Sequence, residues 1–388
     1  MAWLHALPAR SDQANACLNQ ATTGATEFGR FYSDTRDIST GFSTVQIGDA
    51  GAPVRYTRLL IESKTPQAAG WVLSIRGDNN ELLESFGQEQ FSGHALRWTR
   101  RLDVTGSSLR MELDARFSNN IPQLRILKIV SMPAAATKTY YSASDPKAPR
   151  WSPIASASSG DRKHAESVGM LIGNSNDKTW CCSGVVIAEN LLLTNWHCGS
   201  YTESSDDKWS PEACRNMVIN LAWDQYGNQD QKIHDREFVC DAVLATDQDL
   251  DIAVIKIRSL LGHETARPIK IRTKPLDNNE ALSLIHHPAC LPKQLTSTSC
   301  QVDSKSYRGW RNAAAKTEIL HSCDTEGGSS GAPILDEAGN LVALHHLGYE
   351  TPPGGVCDYQ NKGVKIGPIL EFLMGKDDIR QLLVGSQH

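Results

Sequence analysis

The sequence predicts an all-β chain of two domains with a helix at its carboxyl end. Its 388 residues are enough for two or three hydrophobic cores. Apolar and polar residues alternate in short runs between about residues 40 and 133, and short apolar runs begin again after residue 166. Helical periodicity is confined to Ile366–Met374 and Asp377–Leu383. Short runs with a period of two are typical of strands, so we predict two β domains in series.

The first domain is predicted over residues 1–135 as an antiparallel β-sandwich. Turn residues separate its short runs, which is typical of a sandwich, and Trp71 and Trp98 are assigned to its core. No catalytic constellation is found here. We therefore expect an accessory domain, for which a polysaccharide or a surface ligand is the partner considered. The runs are Phe42–Ile47, Tyr56–Glu62, Trp71–Arg76, Leu109–Asp114 and Leu124–Val130.

Residues 136–165 are rich in Pro, Ala and Ser, which is the composition of a linker. Strand-like runs return in the second predicted domain, residues 166–388. Many short strands followed by a C-terminal helix favour a β-barrel domain. The runs are Val168–Ile172, Gly184–Ala188, Leu191–Thr194, Met217–Leu221, Ile252–Ile257, Leu282–Ile285 and Leu341–Leu344.

The segment Cys323–Pro333 presents Ser330 on a tight loop with glycines on both sides. Gly328 allows the backbone to approach a substrate closely, and Gly331 leads into an apolar run. A serine hydroxyl that attacks a carbonyl needs a base to take its proton and an acid to orient that base. A catalytic Ser330 therefore requires a histidine and a carboxylate elsewhere in the chain.

His197 and Asp251 are the candidates for the base and the acid. His197 ends the motif Thr-Asn-Trp-His, which follows an apolar strand, and a disulfide between Cys182 and Cys198 would clamp its loop. Asp251 heads the apolar run Ile-Ala-Val-Ile, where burial of an unpaired carboxylate is unfavourable and a histidine partner resolves the problem. Asp249 is interpreted as a solvated turn residue.

Together these segments resemble the chymotrypsin-like (trypsin-like) serine peptidases over about residues 166–385, with His197, Asp251 and Ser330 in the family's chain order. The resemblance implies two packed β-barrels with the site in the cleft between them. It implies that His197 is the general base, that Asp251 orients it and that Ser330 is the nucleophile. The amides of Gly328 and Ser330 would form the oxyanion hole. No metal or organic cofactor is implied.

The chain departs from the animal digestive members of this family at Ser329. Those enzymes carry an aspartate at this position, and it pairs with an N-terminus that cleavage releases. No Ile-Val-Gly-Gly-like start precedes Val168 either. Activation by that ion pair is therefore not expected. The pattern is most similar to the bacterial secreted glutamyl and lysyl endopeptidases, which have Gly-x-Ser-Gly-x-Pro without the aspartate.

The resemblance leaves the substrate preference open. Thr325 and His345 occupy positions at which glutamyl endopeptidases hold a substrate carboxylate. Asp324 occupies the position at which trypsin-like members bind Lys or Arg. Gly363 resembles the strand position that leaves the entrance of the specificity pocket open, with a simple β-bulge as the alternative. Another alternative is that His345 and His346 are ordinary strand residues, one facing in and one facing out.

Ten cysteines indicate a domain stapled by disulfides in an oxidising compartment. We predict the pairs Cys214–Cys240 and Cys300–Cys323, the second of which would anchor the nucleophile loop.

Four further cysteines allow three pairings. They are Cys17, Cys181, Cys290 and Cys357. Among these pairings, a Cys17–Cys181 bond would tie the N-terminal segment to the catalytic domain. A metal site is the alternative use of the cysteines near His197, although no Cys-x-x-Cys motif supports it. Its ligands would be Cys181, Cys182, His197 and Cys198.

These observations favour a secreted, bacterial serine endopeptidase that cleaves protein or peptide substrates through an acyl-enzyme. A net charge of −5 without a basic stripe gives no support to nucleic-acid binding, and no apolar stretch reaches the length of a membrane span. The start, Met1–Pro8, is too short for an export signal, so we expect the signal peptide to be absent from this chain. The alternatives are a catalytically inactive, peptidase-like binding protein and an esterase with the same triad.

Overall fold

A computed structural model describes most of the chain. The described residues are 26–32, 36–48, 54–65, 67–91, 95–99, 102–104, 106–133, 150–175, 178–200, 208–224, 236–260, 264–348 and 360–385. Strands dominate these residues and helices are few, as the all-β prediction requires. No helix among them has the length and hydropathy needed to cross a membrane.

Ten strands lie between residues 26 and 133. They are β1 (Thr26–Tyr32), β2 (Arg36–Ile38), β3 (Gly41–Gln46), β4 (Val54–Ser63), β5 (Val72–Arg76), β6 (Leu82–Phe86), β7 (Leu96–Trp98), β8 (Leu102–Asp103), β9 (Ser108–Asp114) and β10 (Leu124–Pro133). Strands β3, β9, β5 and β6 form an antiparallel sheet, and β4 pairs with β10, β7 and β8. Side chains from both groups, such as Leu73, Met111 and Ile129, share one buried core.

Seven strands follow, and six of them close a barrel. They are β11 (Trp151–Pro153), β12 (Val168–Ser175), β13 (Lys178–Ala188), β14 (Leu191–Thr194), β15 (Val218–Asn220), β16 (Glu237–Asp247) and β17 (Ile252–Ser259). The pairing order is β12, β15, β16, β17, β14 and β13, and β13 pairs back with β12 to complete the circle. Nearly every residue of β14 and β17 is buried, as expected for strands that pack on a core.

The carboxyl half forms a second, open sheet. Its strands are β18 (Ser283–His286), β19 (Gln294–Thr296), β20 (Val302–Tyr307), β21 (Glu318–His321), β22 (Pro333–Leu335), β23 (Leu341–Leu347) and β24 (Asn361–Lys365). The order is β11, β19, β18, β22, β23, β24, β21 and β20. A closed barrel followed by this half-barrel is consistent with the predicted chymotrypsin-like pair of barrels.

Helices are short and lie mostly between strands. They are α1 (Ser159–Ala165), α2 (Pro211–Arg215), α3 (Ile366–Met374) and α4 (Asp377–Gly385), with 3-10 turns at Gln88–Phe91, Ile154–Ser156, Trp196–Gly199 and Pro288–Cys290. The predicted C-terminal helix is present as α3 and α4, and Ile369 and Leu373 bury one face of α3 in the barrel core. Strand β11 and α1 lie inside the predicted linker, so the residues from 150 onward are part of the fold. The domain boundaries stay a prediction.

The N-terminal strands are continuous with the first barrel. Strand β1 pairs with β10 on one side and with β13 on the other, so one sheet runs through both regions. Leu60, Trp98 and Val130 pack with Val218 and Leu260 of the barrel region in a shared apolar cluster. The independent sandwich predicted from the sequence is therefore not confirmed, and its status as a separate domain stays a prediction.

A buried ion pair joins the two regions. Arg58 on β4 donates two hydrogen bonds, of 2.9 and 2.6 Å, to the carboxylate of Glu237 on β16. Both side chains are shielded from solvent, and Asn220 donates a further bond of 3.0 Å to Glu237. Because neither charge can be solvated by water, each depends on the other for its stabilisation.

Four disulfides cross the described residues. The structure contains the three predicted pairs, Cys182–Cys198, Cys214–Cys240 and Cys300–Cys323. The suggested Cys17–Cys181 bond is wrong, because Cys181 on β13 is bonded to Cys290, whose Cα lies 5.9 Å away. Cys17 and Cys357 lie outside the described residues.

We expect Arg58→Met to lower the free energy of unfolding by about 3–5 kcal/mol, because it leaves the Glu237 carboxylate buried without its partner. The exposed pair of Arg116 and Asp114 is the control, and Arg116→Met should change stability far less, because solvent screens that pair. Urea unfolding at neutral pH measures both. Equal effects of the two substitutions would contradict the interpretation of the Arg58–Glu237 pair.

Candidate active site

His197 and Asp251 meet at the rim of the first barrel. The 3-10 turn after β14 carries His197, and the Cys182–Cys198 disulfide ties that turn to β13. Asp251 lies in the turn before β17 with a positive φ of 50°. His197 Nδ1 lies 2.7 Å from Asp251 Oδ2, and the amide of His197 donates a 3.0 Å bond to Oδ1. The carboxylate therefore fixes both the ring and the backbone of the histidine.

Asp251 is fully buried yet remains ionised. Burial alone would raise the pKa of this carboxyl group, but the contacts with His197 and His346 outweigh it, and the net effect holds the pKa well below its usual value. The carbonyl oxygen of Asp251 accepts a further bond of 2.8 Å from the Asn195 side chain. Because the ionised carboxylate accepts a hydrogen bond from Nδ1–H of His197, Nε2 is the nitrogen left to act as a base.

His346 is a partner of Asp251 that the sequence reasoning missed. Its Nδ1 lies 3.3 Å from Asp251 Oδ2, and its Nε2 lies 3.4 Å from a carboxylate oxygen of Glu318 on β21. Burial opposes the charged ring, but the two carboxylates prevail and raise the pKa of His346 to about 9. Trp310 packs edge-on against the same ring. His345 and His346 lie in succession on β23, and both are buried. The alternative that they are ordinary strand residues, one facing in and one facing out, stays a prediction.

Ser330 sits between the two barrels on the loop that precedes β22. Gly331 has a φ of +83°, and a Cβ atom there would lie 2.1 Å from the carbonyl oxygen of Ser183, so only glycine fits. The amide of Ser183 donates a 2.7 Å bond to the carbonyl oxygen of Ser330, which ties the loop to β13. The loop is thus fixed by the first barrel although it belongs to the second.

The expected hydrogen bond between Ser330 and His197 is not formed in this structure. Ser330 Oγ instead makes a long contact of 3.4 Å with the carbonyl oxygen of His346. Nε2 of His197 is buried and has no hydrogen-bond partner among the described residues. Catalytic hydrogen bonds are often long in ligand-free enzymes, so this geometry does not count against the pair.

Along the nucleophile loop, backbone amides that donate a hydrogen bond within the protein alternate with amides that do not. The amides of Ser329 and Gly331 donate to the carbonyl oxygens of Glu326 and His345, at 2.9 and 2.8 Å. The amides of Gly328 and Ser330 donate to no acceptor in the described part of the chain. Gly328 has a φ of +95°, which suits glycine. These two amides are the ones predicted to bind an oxyanion.

Ser329 takes part in a buried, uncharged network beneath the nucleophile. Its hydroxyl accepts a 3.0 Å bond from the amide of Glu326 and lies 2.8 Å from Nδ1 of His286. Burial holds the pKa of His286 well below its usual value, so that ring is neutral. Trp151 on β11 packs edge-on against His286. The position that carries an aspartate in digestive enzymes therefore has a neutral hydrogen-bond partner here.

Asp324 is already paired within the protein. Arg150 donates bonds of 2.6 and 3.0 Å from its guanidinium to the two carboxylate oxygens, and its backbone amide donates another of 2.9 Å. Asp324 is almost fully buried, so the guanidinium neutralises it without help from solvent. Sequence reasoning did not single out Arg150, because nothing local in the chain links it to a residue 174 positions away.

The other predicted pocket residues lie on β23, β24 and the nucleophile loop. The hydroxyl of Thr325 donates a 2.7 Å bond to the side chain of Asn361. His345 Nδ1 lies 3.1 Å from Nε2 of His321. Gly363 pairs with His345 next to a register irregularity between His345 and Leu347, and a Cβ atom at Gly363 would lie 2.4 Å from Ile334 Cδ1.

The cysteines near His197 are not free to bind a metal. Cys182, His197 and Cys198 lie within 4.8 Å of one another, but the two sulfurs are joined in a disulfide. Cys181 is likewise bonded to Cys290. Because metal binding requires a thiolate, the alternative of a cysteine–histidine metal site has no ligands here.

Parts of the chain are similar in sequence to known proteins. Residues 182–344 match a family described as the trypsin-like peptidase domain. Serine protease FAM111A of Mus musculus is 24% identical over 245 residues, which cover 54% of this chain and 38% of that protein. Secreted RxLR effector protein 73 of Plasmopara viticola is 26% identical over 187 residues, which cover 47% of this chain and 44% of that protein.

Among solved structures, Rv3671c from M. tuberculosis H37Rv is similar with a TM-score of 0.40 and 15% identity, over 56% of this chain and 90% of that one. The chain spans less than half the length of the two curated relatives it matches.

Residues 182–344 are therefore similar to trypsin-like peptidase domains, and this similarity supports assignment to the serine endopeptidases. The matched residues include His197, Asp251 and Ser330. The narrower similarity to bacterial glutamyl and lysyl endopeptidases stays a prediction, as does a bacterial source.

The charge on His346 gives the protein a pH dependence that can be measured. Its pKa in the folded state is about 9, above the unfolded value of about 6.5, so its contribution to stability is complete below pH 6.5. That contribution is lost as the pH rises through about 9.

We expect Glu318→Gln to reduce this loss, because the substitution removes one of the two carboxylates that hold the proton. Urea unfolding at pH 7 and pH 10 tests the prediction, since background titration of other groups is common to both proteins. An identical fall in stability for the wild type and the variant would contradict the assigned role of Glu318.

Proposed function

We propose that the chain hydrolyses peptide bonds through His197, Asp251 and Ser330, by way of an acyl-enzyme. The observation that carries the proposal is the buried contact of 2.7 Å between His197 Nδ1 and Asp251 Oδ2, with Nε2 left unpartnered among the described residues. A histidine held in this tautomer can accept a proton only at Nε2.

In the first half-reaction, Nε2 of His197 takes the hydroxyl proton of Ser330 while Oγ attacks the substrate carbonyl. The carbonyl oxygen becomes an oxyanion, and the amides of Gly328 and Ser330 donate hydrogen bonds to it. Asp251 stabilises the imidazolium that forms. His197 then gives its proton to the leaving amine, and the C–N bond breaks.

In the second half-reaction, water replaces the amine. His197 takes a proton from the water, whose oxygen attacks the ester carbonyl of the acyl-enzyme. The same two amides stabilise the second oxyanion. Collapse of that intermediate returns the proton to Ser330 and releases the carboxylate product. No step needs a group from outside the chain other than water.

We propose a preference for acidic over basic side chains at the cleavage site. Asp324 would attract Lys or Arg if its carboxylate were free, but Arg150 already binds both of its oxygens. A hydroxyl at Thr325 and a neutral imidazole at His345 suit a substrate carboxylate. Burial and neighbouring histidines hold the pKa of His345 well below its usual value, so the ring is uncharged before a substrate binds.

We further propose that the protein acts outside the cell. The four disulfides among the described residues suggest an extracellular protein, because such bonds persist in oxidising compartments. The N-terminal strands are proposed as an accessory unit that is built onto the first barrel, and a role for them in binding a polysaccharide or a surface remains part of this proposal.

The triad assignment predicts two effects of different size. Ser330→Ala should abolish turnover of peptides and covalent labelling by a fluorophosphonate probe. Asp251→Asn should lower kcat by on the order of 10⁴-fold, because the amide stabilises the wrong tautomer of His197. Peptide mapping of the labelled protein identifies the modified serine. Labelling of any residue other than Ser330 would contradict the assignment.

The specificity proposal predicts the order Glu, then Gln, then Lys for kcat/KM in matched fluorogenic peptides that differ only at the cleavage position. The variant Thr325→Val should weaken cleavage after Glu more than cleavage after Gln, because it removes a hydroxyl that can bind the carboxylate. Asp324→Asn serves as the control and should leave the order unchanged. Preferred cleavage after Lys or Arg would overturn the proposal.

A further inference from the structure

The disulfide between Cys181 and Cys290 links the two barrels next to the nucleophile loop. Cys181 lies on β13 in the first barrel, and Cys290 lies in the Pro288–Cys290 turn after β18, 109 residues later. Both residues are fully buried. The bond therefore joins β13 of the first barrel to the turn after β18 in the second sheet.

Gly328 packs directly against this disulfide. A Cβ atom at Gly328 would lie 2.9 Å from Cys181 Sγ and 2.5 Å from the carbonyl oxygen of His287. The neighbouring carbonyl of Gly327 accepts a 2.6 Å bond from the amide of Ala289. Gly327 and Gly328 therefore contact both the disulfide and the Pro288–Cys290 turn. Gly328 carries one of the two amides proposed to bind the oxyanion.

The turn has an unfavourable backbone conformation. Ala289 and Cys290 have φ values of 47° and 54°, in the left-handed region that residues with a Cβ atom rarely adopt. Two such residues in succession persist only where surrounding contacts enforce them. The bond from Cys290 to Cys181 is a covalent contact of this kind.

Ser183 supplies a second connection between the same parts. Its hydroxyl donates a 2.8 Å bond to the carbonyl oxygen of Gly328 and accepts a 3.0 Å bond from the amide of His287. The Ser183 hydroxyl thus fixes the peptide unit between Gly328 and Ser329 and ties it to the residue that precedes the Pro288–Cys290 turn. The peptide unit that carries the Gly328 amide is held on its other side, by the bond from the amide of Ala289 to the carbonyl oxygen of Gly327.

We propose that the Cys181–Cys290 disulfide is a positioning element of the oxyanion hole. The disulfide holds the Pro288–Cys290 turn in its left-handed conformation. Contacts with this turn then keep Gly328 oriented with its amide facing the substrate carbonyl. The inference rests on the proposed function, and it adds to that function a covalent link between the two barrels that acts on the rate of acylation.

The test compares two disulfides in the full chain. Cys181→Ala with Cys290→Ala removes the positioning bond, and Cys214→Ala with Cys240→Ala removes a bond between α2 and β16 that touches no residue of the nucleophile loop. Steady-state kcat and KM are measured with p-nitrophenyl acetate, and with Ser330→Ala as the blank. The melting temperature of each variant is measured by thermal unfolding, and the assays are run below the lowest of these temperatures.

We expect the first double variant to lower kcat by on the order of a hundredfold with KM nearly unchanged, because a small misplacement of a transition-state donor has an effect of this size. The second double variant should leave both constants unchanged. A purely stabilising role predicts losses that follow the fall in melting temperature. Equal kcat values for the two double variants would overturn the inference.

Ser183→Ala decides the question if the first double variant does not fold, because it keeps all disulfides and removes only the hydroxyl that holds Gly328. A lower kcat with unchanged KM supports the positioning role, and an unchanged kcat contradicts it. Turnover by the wild type distinguishes failure of the proposed function from failure of the proposed role of the disulfide. Absence of Ser330-dependent turnover contradicts the proposed function itself, whereas turnover that is insensitive to these substitutions contradicts only the inference.

Discussion

The site depends on one buried carboxylate. Asp251 has no solvent to stabilise its charge, so every group around it must do so. The backbone and ring of His197 contact one side of it, and His346 contacts the other. Glu318 then balances the added charge of His346. The result is a buried row of side chains, Glu318, His346, Asp251 and His197, in which positive and negative charges alternate. This row holds the ring of His197 in a single orientation.

The nucleophile loop is assembled from outside its own sheet. Strand β13 binds the carbonyl groups of Ser330 and Gly328 through Ser183, and Arg150 binds Asp324. In digestive relatives of the peptidase class, as the resemblance implies, a freed N-terminus contacts the residue before the nucleophile. Here Ser329 stands at that position and hydrogen-bonds with His286 instead.

Sequence reasoning works best where the signal is local. The Cys182–Cys198 pair was predicted from its short spacing beside His197, and the structure contains it. Ser330 was chosen from the glycines around it, and its role as the nucleophile stays a prediction. Long-range contacts gave no such signal. Arg150 lies in a stretch with linker composition, yet it pairs with a carboxylate far along the chain, and Cys290 could be matched with three partners. The separate sandwich was predicted from strand spacing alone, which cannot reveal that β1 pairs with a strand of the barrel.

We propose that Gly328 and Ser330 present preformed amides to a tetrahedral adduct on Ser330. A crystal structure with a peptidyl boronic acid tests this proposal, because boron bonded to a serine oxygen mimics the tetrahedral intermediate. We expect a bond from boron to Ser330 Oγ and one boronate oxygen about 2.7–3.1 Å from both amides. A boronate bonded elsewhere, or an adduct on Ser330 whose oxygens contact neither amide, would contradict it.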